Sequence, residues 1–138
     1  MIDTMYHNKC LVYSSCLFII PSIYAYYTDH YFYSVLLFST SAISVNYWRD
    51  ATYGWRRNLD LIFAKVSFGV FVSNGIMTVR NIPDMMIGYL LLVLCIYFYY
   101  LSSISWKIQN VHWYKYHILF HVCIMCEQMI IIRNTKTL

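Results

Sequence analysis

His117 and His121 are the two residues whose type and spacing most directly suggest chemistry. They lie four residues apart in an apolar segment, residues 113–133, that is long enough to span a bilayer. In a helix this spacing puts both imidazoles on one face, from which they can bind a single metal ion. Glu127 and Gln128 follow in the same segment, and Gln128 falls near the face of the two histidines. Because polar groups at membrane depth usually face a bundle interior or a water-filled cavity, we expect this face to point toward other helices.

A purely structural role is the alternative for the histidine pair. Each imidazole could donate a hydrogen bond to a neighbouring helix, a contact that stabilises a membrane bundle by ~1 kcal/mol. Both interpretations need partner helices that carry polar groups at the depth of His117 and His121.

Ser44 and Asp60 are the polar residues expected at that depth. Ser44 lies near the end of the second apolar segment, and Asp60 lies near the start of the third. If successive segments cross the membrane in opposite directions, both residues fall at the same end as the histidines. We therefore predict one site built from these four residues. The alternatives are that Asp60 caps its helix and pairs with Arg56, and that Ser44 serves close helix packing.

The elements that must position these residues are membrane helices. The chain of 138 residues is 60% hydrophobic and 12% charged, with a mean hydropathy of +0.51, so it has too few charges to cover a soluble surface. Its apolar stretches are continuous runs, which favours helices over the alternating pattern of a membrane barrel. We predict an all-α polytopic bundle that forms one integral membrane domain, residues 1–138. Five transmembrane helices are expected, at about residues 10–28, 31–47, 59–77, 85–105 and 113–133.

Local features of the segments give three further expectations. Pro21 should kink the first helix or be absorbed by neighbouring helices, because proline cannot donate a backbone hydrogen bond. The short turn after Thr28 should make the first two helices an antiparallel pair. The fourth segment is apolar almost all round, so we expect it to face lipid and take no part in a site.

Basic residues set the expected orientation. Six lie on the side of the N-terminus and three on the opposite side, so the positive-inside rule predicts a cytoplasmic N-terminus. The six are Lys9, Arg49, Arg56, Arg57, Lys107 and Lys115, and the three are Arg80, Arg133 and Lys136. The net charge of +4 is spread over tails and loops, and the loop at residues 48–58 mixes arginines with aromatic residues that suit lipid headgroups. We therefore expect the lipid bilayer, and no nucleic acid, as a partner.

Cys123 and Cys126 form a Cys-x-x-Cys pair in the fifth segment, a motif of thiol oxidoreductases. Membrane enzymes of that class relay electrons through a second cysteine pair on a loop, whereas Cys10 and Cys16 fall within a predicted span. A membrane thiol oxidoreductase is therefore one alternative function, and packing as small apolar side chains is the simpler role of these cysteines.

Three short motifs stand at the positions discussed above. Ser44-Val-Asn-Tyr47-Trp48 ends the second segment, Arg56-Arg-Asn-Leu-Asp60 opens the third, and His117-Ile-Leu-Phe-His121 lies in the last. In these motifs the chain resembles a superfamily of membrane proteins that includes the alkaline ceramidases, the progestin and adiponectin receptors, the hemolysin-III-like proteins and the Per1 proteins. The superfamily has seven helices, whereas this chain has room for five.

This resemblance implies a zinc-dependent hydrolase that cleaves an amide or ester bond of a lipid substrate. His117 and His121 would be metal ligands, and Asp60 and Ser44 would be catalytic, with Asp60 as base and Ser44 as hydrogen-bond donor to the oxyanion. Trp48 stands where the family has its first metal-binding histidine. Asp60, His112 or Asn46 would have to complete the zinc ligands.

We therefore expect a multi-pass membrane protein, with hydrolysis of a lipid amide or ester as its candidate activity. A noncatalytic structural or assembly protein of the membrane is the main alternative.

Overall fold

The protein is a bundle of helices, seen in a computed structural model that describes the backbone of residues 2–135 and the side chains of residues 6–135. Helices make up 86% of the chain, and the described residues form no strand, which confirms the predicted all-α bundle. Lys136, one of the basic residues used for the expected orientation, lies outside the described residues. The helices are α1 (Ile2–Ser15), α2 (Ile19–Tyr27), α3 (Tyr31–Trp48), α4 (Trp55–Thr78), α5 (Ile82–Lys107) and α6 (Trp113–Asn134).

Helices α1 and α2 form one rod that is interrupted by a 3₁₀ turn at Cys16–Phe18. Pro21 has no N–H to donate to the carbonyl of Leu17, four residues earlier, and Leu17 lies within this turn. A tighter turn accommodates the missing hydrogen bond without ending the rod. The local effect near Pro21 is thus a 3₁₀ turn, one turn before the proline, after which the helix continues.

Four helices are long and apolar enough to cross a membrane: the rod at Tyr6–Tyr27 and the helices at Trp55–Thr78, Ile82–Lys107 and Trp113–Asn134. The protein is therefore an integral multi-pass membrane protein, as predicted. The second predicted span, residues 31–47, is helix α3, which is less apolar than the other four because it carries four serines and a threonine. Helix α3 packs against α1, α2 and α4, and four of its five hydroxyl groups find partners there, those of Ser34, Thr40, Ser41 and Ser44.

Helix α4 begins earlier than its apolar segment suggests. Its first residue is Trp55, preceded by Gly54, so Arg56 and Arg57 lie in its first turn. The predicted loop at residues 48–58 is therefore shorter, because arginine is a good helix former and the helix continues past the end of its apolar stretch.

The apolar core lies at the end of the bundle where α2 turns into α3. Asp29, with a left-handed φ of 63°, allows the chain to reverse there, and α2 and α3 pack against each other as the predicted antiparallel pair. Helix α5 packs mainly on α6, whereas α4 and α5 have little contact with each other over residues 55–107. The buried apolar residues of the core are Ala25, Leu37, Phe71, Val79, Ile131 and Ile132.

Gly75 is the point of close approach between α4 and α6. A Cβ atom at Gly75 would lie 3.0 Å from Cδ1 and 3.2 Å from Cγ1 of Ile131. We expect Gly75→Val to lower the free energy of unfolding by about 1–3 kcal/mol through overpacking, measured by denaturant titration in detergent micelles. Gly69→Val, in the same helix, is the matched control, because a Cβ there meets nothing within 4 Å. Equal destabilisation by the two variants would contradict the assignment of Gly75 as the point of close approach between α4 and α6.

Candidate functional site

The four predicted site residues lie around one cavity of about 330 Å³ at the end of the bundle opposite the apolar core. Ser44 comes from the end of α3, Asp60 from the start of α4, and His117 and His121 from the first turns of α6. The structure therefore brings together all four residues that the sequence placed at one depth. Most of the remaining lining is apolar and includes Phe18, Leu61, Phe68, Ile96, Phe120 and Ile124.

His121 is held from the side of α1. Its Nδ1 atom lies 2.9 Å from the Ser14 hydroxyl, and its side chain is 4% exposed. The Ser14 hydroxyl is also 3.1 Å from the Leu11 carbonyl, and it has a single hydrogen to donate to one of these two groups. When that hydrogen goes to Leu11, Nδ1 of His121 is the donor to Ser14 and Nε2 has a free lone pair. In this tautomer His121 can accept a hydrogen bond or bind a metal ion through Nε2.

His117 is held from the side of α5. Its Nδ1 atom lies 3.3 Å from the Ser102 hydroxyl, and its ring meets that of His121 edge-on at 4.7 Å between centroids. Cys95 and Tyr99 of α5 also line the cavity. The expectation that the fourth segment takes no part in a site was therefore wrong. A few small polar residues in an otherwise apolar helix are enough to place hydrogen-bonding groups at a site.

Ser44 and Asp60 are adjacent in the cavity. The Ser44 hydroxyl is 3.0 Å from that of Ser15, to which it can donate because Ser15 gives its own hydrogen to the Leu11 carbonyl at 2.8 Å. The half-buried carboxyl of Asp60 is close enough to interact with the Ser44 hydroxyl as well. Rotation about the C–O bond of Ser44 would redirect its hydrogen from Ser15 to Asp60 or to a molecule in the cavity.

Asp60 does not form the ion pair considered for it. Arg56 contacts the carboxylate of Asp50 instead, at 3.7 Å, so that alternative was wrong. Both partners of this pair are partly exposed, and such surface pairs contribute little to stability. Asp60 thus faces the cavity with Lys65 of the same helix, whose exposed side chain also lines it.

The polar stripe of α6 faces inward along its length, as predicted. Glu127 is 8% exposed and Gln128 is 3% exposed. Gln128 reaches the cavity of the site, whereas Glu127 lines a second cavity toward the opposite end of the bundle. The Oε1 atom of Gln128 has no hydrogen-bond partner among the described residues, an arrangement that costs about 1–3 kcal/mol unless water or a ligand supplies a donor.

Trp48 occupies the space beside the histidines. Its ring lies edge-on to that of His117, with 5.3 Å between centroids. Of the residues considered as a third metal ligand, Asn46 accepts a hydrogen bond from Arg49 at 3.2 Å, and His112 is an exposed residue before the first turn of α6. Only Asp60 among them lines the cavity.

The cysteines are all free thiols, and they are spread over three helical elements. Cys123 is buried and Cys126 is partly buried in α6, while Cys10 and Cys16 lie in the rod of α1 and α2. The structure places no cysteine in a loop over residues 2–135. A loop pair that could relay electrons to Cys123 and Cys126 is thus missing from the described part of the chain.

Two contributions to the site were not found from the sequence. Ser14 and Ser15 looked like ordinary residues near the start of an apolar segment, yet they hold His121 and Ser44. Ser102, near the end of α5, holds His117. The only available signal was the presence of serines within apolar segments, which does not indicate which helix they face.

Comparisons with known proteins do not add to this picture. The chain matches no protein-family model, and no curated protein or solved structure shows detectable similarity to it. The resemblance to the hydrolase superfamily therefore rests on the three short motifs alone.

Proposed function

We propose that this multi-pass membrane protein binds the polar end of a lipid in the cavity of the site and hydrolyses an amide or ester bond there. The observation that carries the proposal is the convergence of Ser44, Asp60, His117 and His121, from three helices, on a cavity whose other walls are mostly apolar. Such a cavity matches a molecule with a polar reacting group and an apolar body. The superfamily resemblance, with motifs at these same residues, points to the same substrate class.

The proposed reaction uses the chain's own residues. The Asp60 carboxylate accepts a proton from a water molecule, whose oxygen forms a bond to the carbonyl carbon of the substrate. The Ser44 hydroxyl, turned away from Ser15, donates a hydrogen bond to the developing oxyanion. The C–O or C–N bond then breaks, and Asp60 returns its proton to the leaving alkoxide or amine. The neutral imidazoles of His117 and His121 position the substrate through hydrogen bonds at their Nε2 atoms, each of which can donate or accept according to its tautomer.

Zinc, implied by the resemblance, does not fit the residues as they are positioned. Over the described residues, no three His, Cys, Asp or Glu side chains are grouped closely enough to hold a metal ion. A catalytic zinc ion normally has three protein ligands, and the histidine pair supplies two. Asp60 would have to move toward the pair to complete the site. No step of the proposed reaction therefore runs through a metal.

Metal content gives a direct check on this point. We expect the purified protein to hold well under one zinc ion per chain by mass spectrometry, because two imidazoles are one ligand short of a catalytic site. The double variant His117→Ala/His121→Ala should hold equally little. Near-stoichiometric zinc in the wild type that is lost in the double variant, with both proteins folded, would contradict the expectation and would show that a third ligand joins the pair.

The test of the hydrolase proposal is turnover in a membrane. Purified protein in lipid nanodiscs would be incubated with fluorescent long-chain amides and esters, and the products separated by chromatography. Turnover that empty nanodiscs lack would support the proposal. Absence of turnover with every substrate of both kinds would overturn it.

A noncatalytic membrane protein is the second candidate, and a specific observation favours it. The imidazoles are hydrogen-bonded to Ser14 of α1 and to Ser102 of α5, so the pair joins three helical elements. The same contacts that orient a catalytic imidazole also hold a bundle together. Loss of stability in the double histidine variant, together with no turnover by the wild type, would favour this second function.

A further inference from the structure

A second cavity of about 430 Å³ lies outside the candidate hydrolase site, toward the end of the bundle where α4 turns into α5. Helix α6 forms its floor, and α4 and α5 form its walls. Because α4 and α5 have little contact with each other over residues 55–107, the cavity opens between them. Its walls are mainly apolar, with Val72 and Ile76 from α4 and Leu92 from α5. The volume falls within the ~300–1,000 Å³ typical of small-molecule sites.

Glu127 supplies the one carboxyl group of this cavity that is without a partner among the described residues. The side chain is more than nine-tenths buried, and no hydrogen bond or ion pair reaches it from residues 6–135. Asp84, the other acidic residue of the cavity, is already paired. It accepts hydrogen bonds from Arg133 at 2.6 Å and from Asn134 at 2.8 Å.

The surroundings of Glu127 require a positive partner when its carboxyl is ionised. A carboxylate in an apolar, buried position is strongly disfavoured unless a cation or hydrogen-bond donors compensate for the lost water. Among the described residues that line the cavity, Arg80 is the only basic one, and its side chain is exposed. Ionisable groups inside membrane bundles commonly mark the place where a substrate or ion binds.

We propose that this cavity binds an amphiphilic cation, whose alkylammonium group pairs with Glu127 and whose chain lies against Val72, Ile76 and Leu92. The opening between α4 and α5 gives such a molecule lateral access from the bilayer. Charge complementarity selects the ammonium group over a neutral or anionic one, and the apolar walls select the alkyl chain. This site is separate from the candidate hydrolase site and does not depend on it.

The test uses full-length protein in phosphatidylcholine nanodiscs and a dodecylamine that carries a photoreactive diazirine. After illumination, labelled peptides are identified by mass spectrometry. We expect labelling of α4 and α5 residues beside the cavity, suppressed by excess dodecylamine but not by dodecanol. Glu127→Gln, which keeps the shape and removes the charge, should reduce labelling at least about ten-fold, the loss expected for one charge-assisted hydrogen bond. Asp50→Asn, in the exposed loop before α4 and outside both cavities, is the matched control and should leave labelling unchanged.

Two further variants keep the outcome decisive. Gly88→Leu would occupy part of the cavity and keep the charge of Glu127, because Gly88 lines the cavity and a Cβ there meets nothing within 4 Å, so labelling should fall. Arg80→Gln should leave labelling unchanged or raise it, because Arg80 is the competing cation. Labelling that is equal in wild type, Glu127→Gln and Gly88→Leu, or that dodecanol suppresses as well as dodecylamine does, would overturn the proposal. So would a loss of labelling in Arg80→Gln.

Discussion

Replacing Asp60 with asparagine is expected to lower the rate of lipid amide or ester hydrolysis by at least about 100-fold, the lower end of a general base's contribution. Asparagine has nearly the same size and keeps a hydrogen-bond acceptor toward Ser44, but it cannot take a proton from water. The loss should therefore appear in kcat, while KM changes little. The measurement is product formation from a fluorescent lipid in nanodiscs over a range of substrate concentrations.

Asp50→Asn is the control for this experiment. Asp50 lies in the loop before α4, its side chain is 66% exposed, and it contacts only Arg56 in an ion pair. The same chemical change there should leave turnover within a factor of about two, because surface substitutions have small effects. If Asp60→Asn keeps wild-type turnover, or if Asp50→Asn loses as much, Asp60 is not the base.

Leu37→Ala should produce the largest loss of stability, about 2–5 kcal/mol in the free energy of unfolding. Leu37 is fully buried in α3 and belongs to the apolar core formed with Phe71 and Ile131. Removing its side chain leaves a cavity between three helices that pack too rigidly to close it. Denaturant titration in micelles, followed by circular dichroism, measures the change.

The matched control is Leu90→Ala. Leu90 lies in α5 with 59% of its surface exposed, so the same truncation there creates no enclosed cavity. We expect its effect to remain within about 0.5 kcal/mol. A loss in Leu37→Ala no greater than that in Leu90→Ala would mean that the core at the α2–α3 turn does not carry the stability assigned to it.

The fold class followed from the sequence because it depends on local and averaged properties. Long continuous apolar segments separated by short polar turns predict membrane helices whatever their arrangement, since every backbone group must be hydrogen-bonded within the bilayer. The predicted first and last residues of the helices were less accurate. Helix α4 starts at Trp55 rather than near Leu59, because the polar turn containing Arg56 and Arg57 is helical without being apolar.

The grouping of the four candidate residues was also accessible from the sequence, because depth in a membrane follows from position along a helix. Ser44, Asp60, His117 and His121 were placed at one depth by alternating the direction of the spans, and they line one cavity. What each of them contacts was not accessible. The partner of Arg56 proved to be Asp50, and the partner of His117 proved to be Ser102 of a helix that looked inert.

The sequence by itself therefore determined that this is a multi-pass helical membrane protein and which residues share a depth. Hydropathy and helical periodicity are properties of each segment alone, and they carry that information without knowledge of neighbours. Only the tertiary structure decided how the helices are rotated and which of them touch. It placed Glu127 and Gln128 in different cavities, although they are consecutive, because adjacent helical residues point about 100° apart and different neighbours pack against each direction.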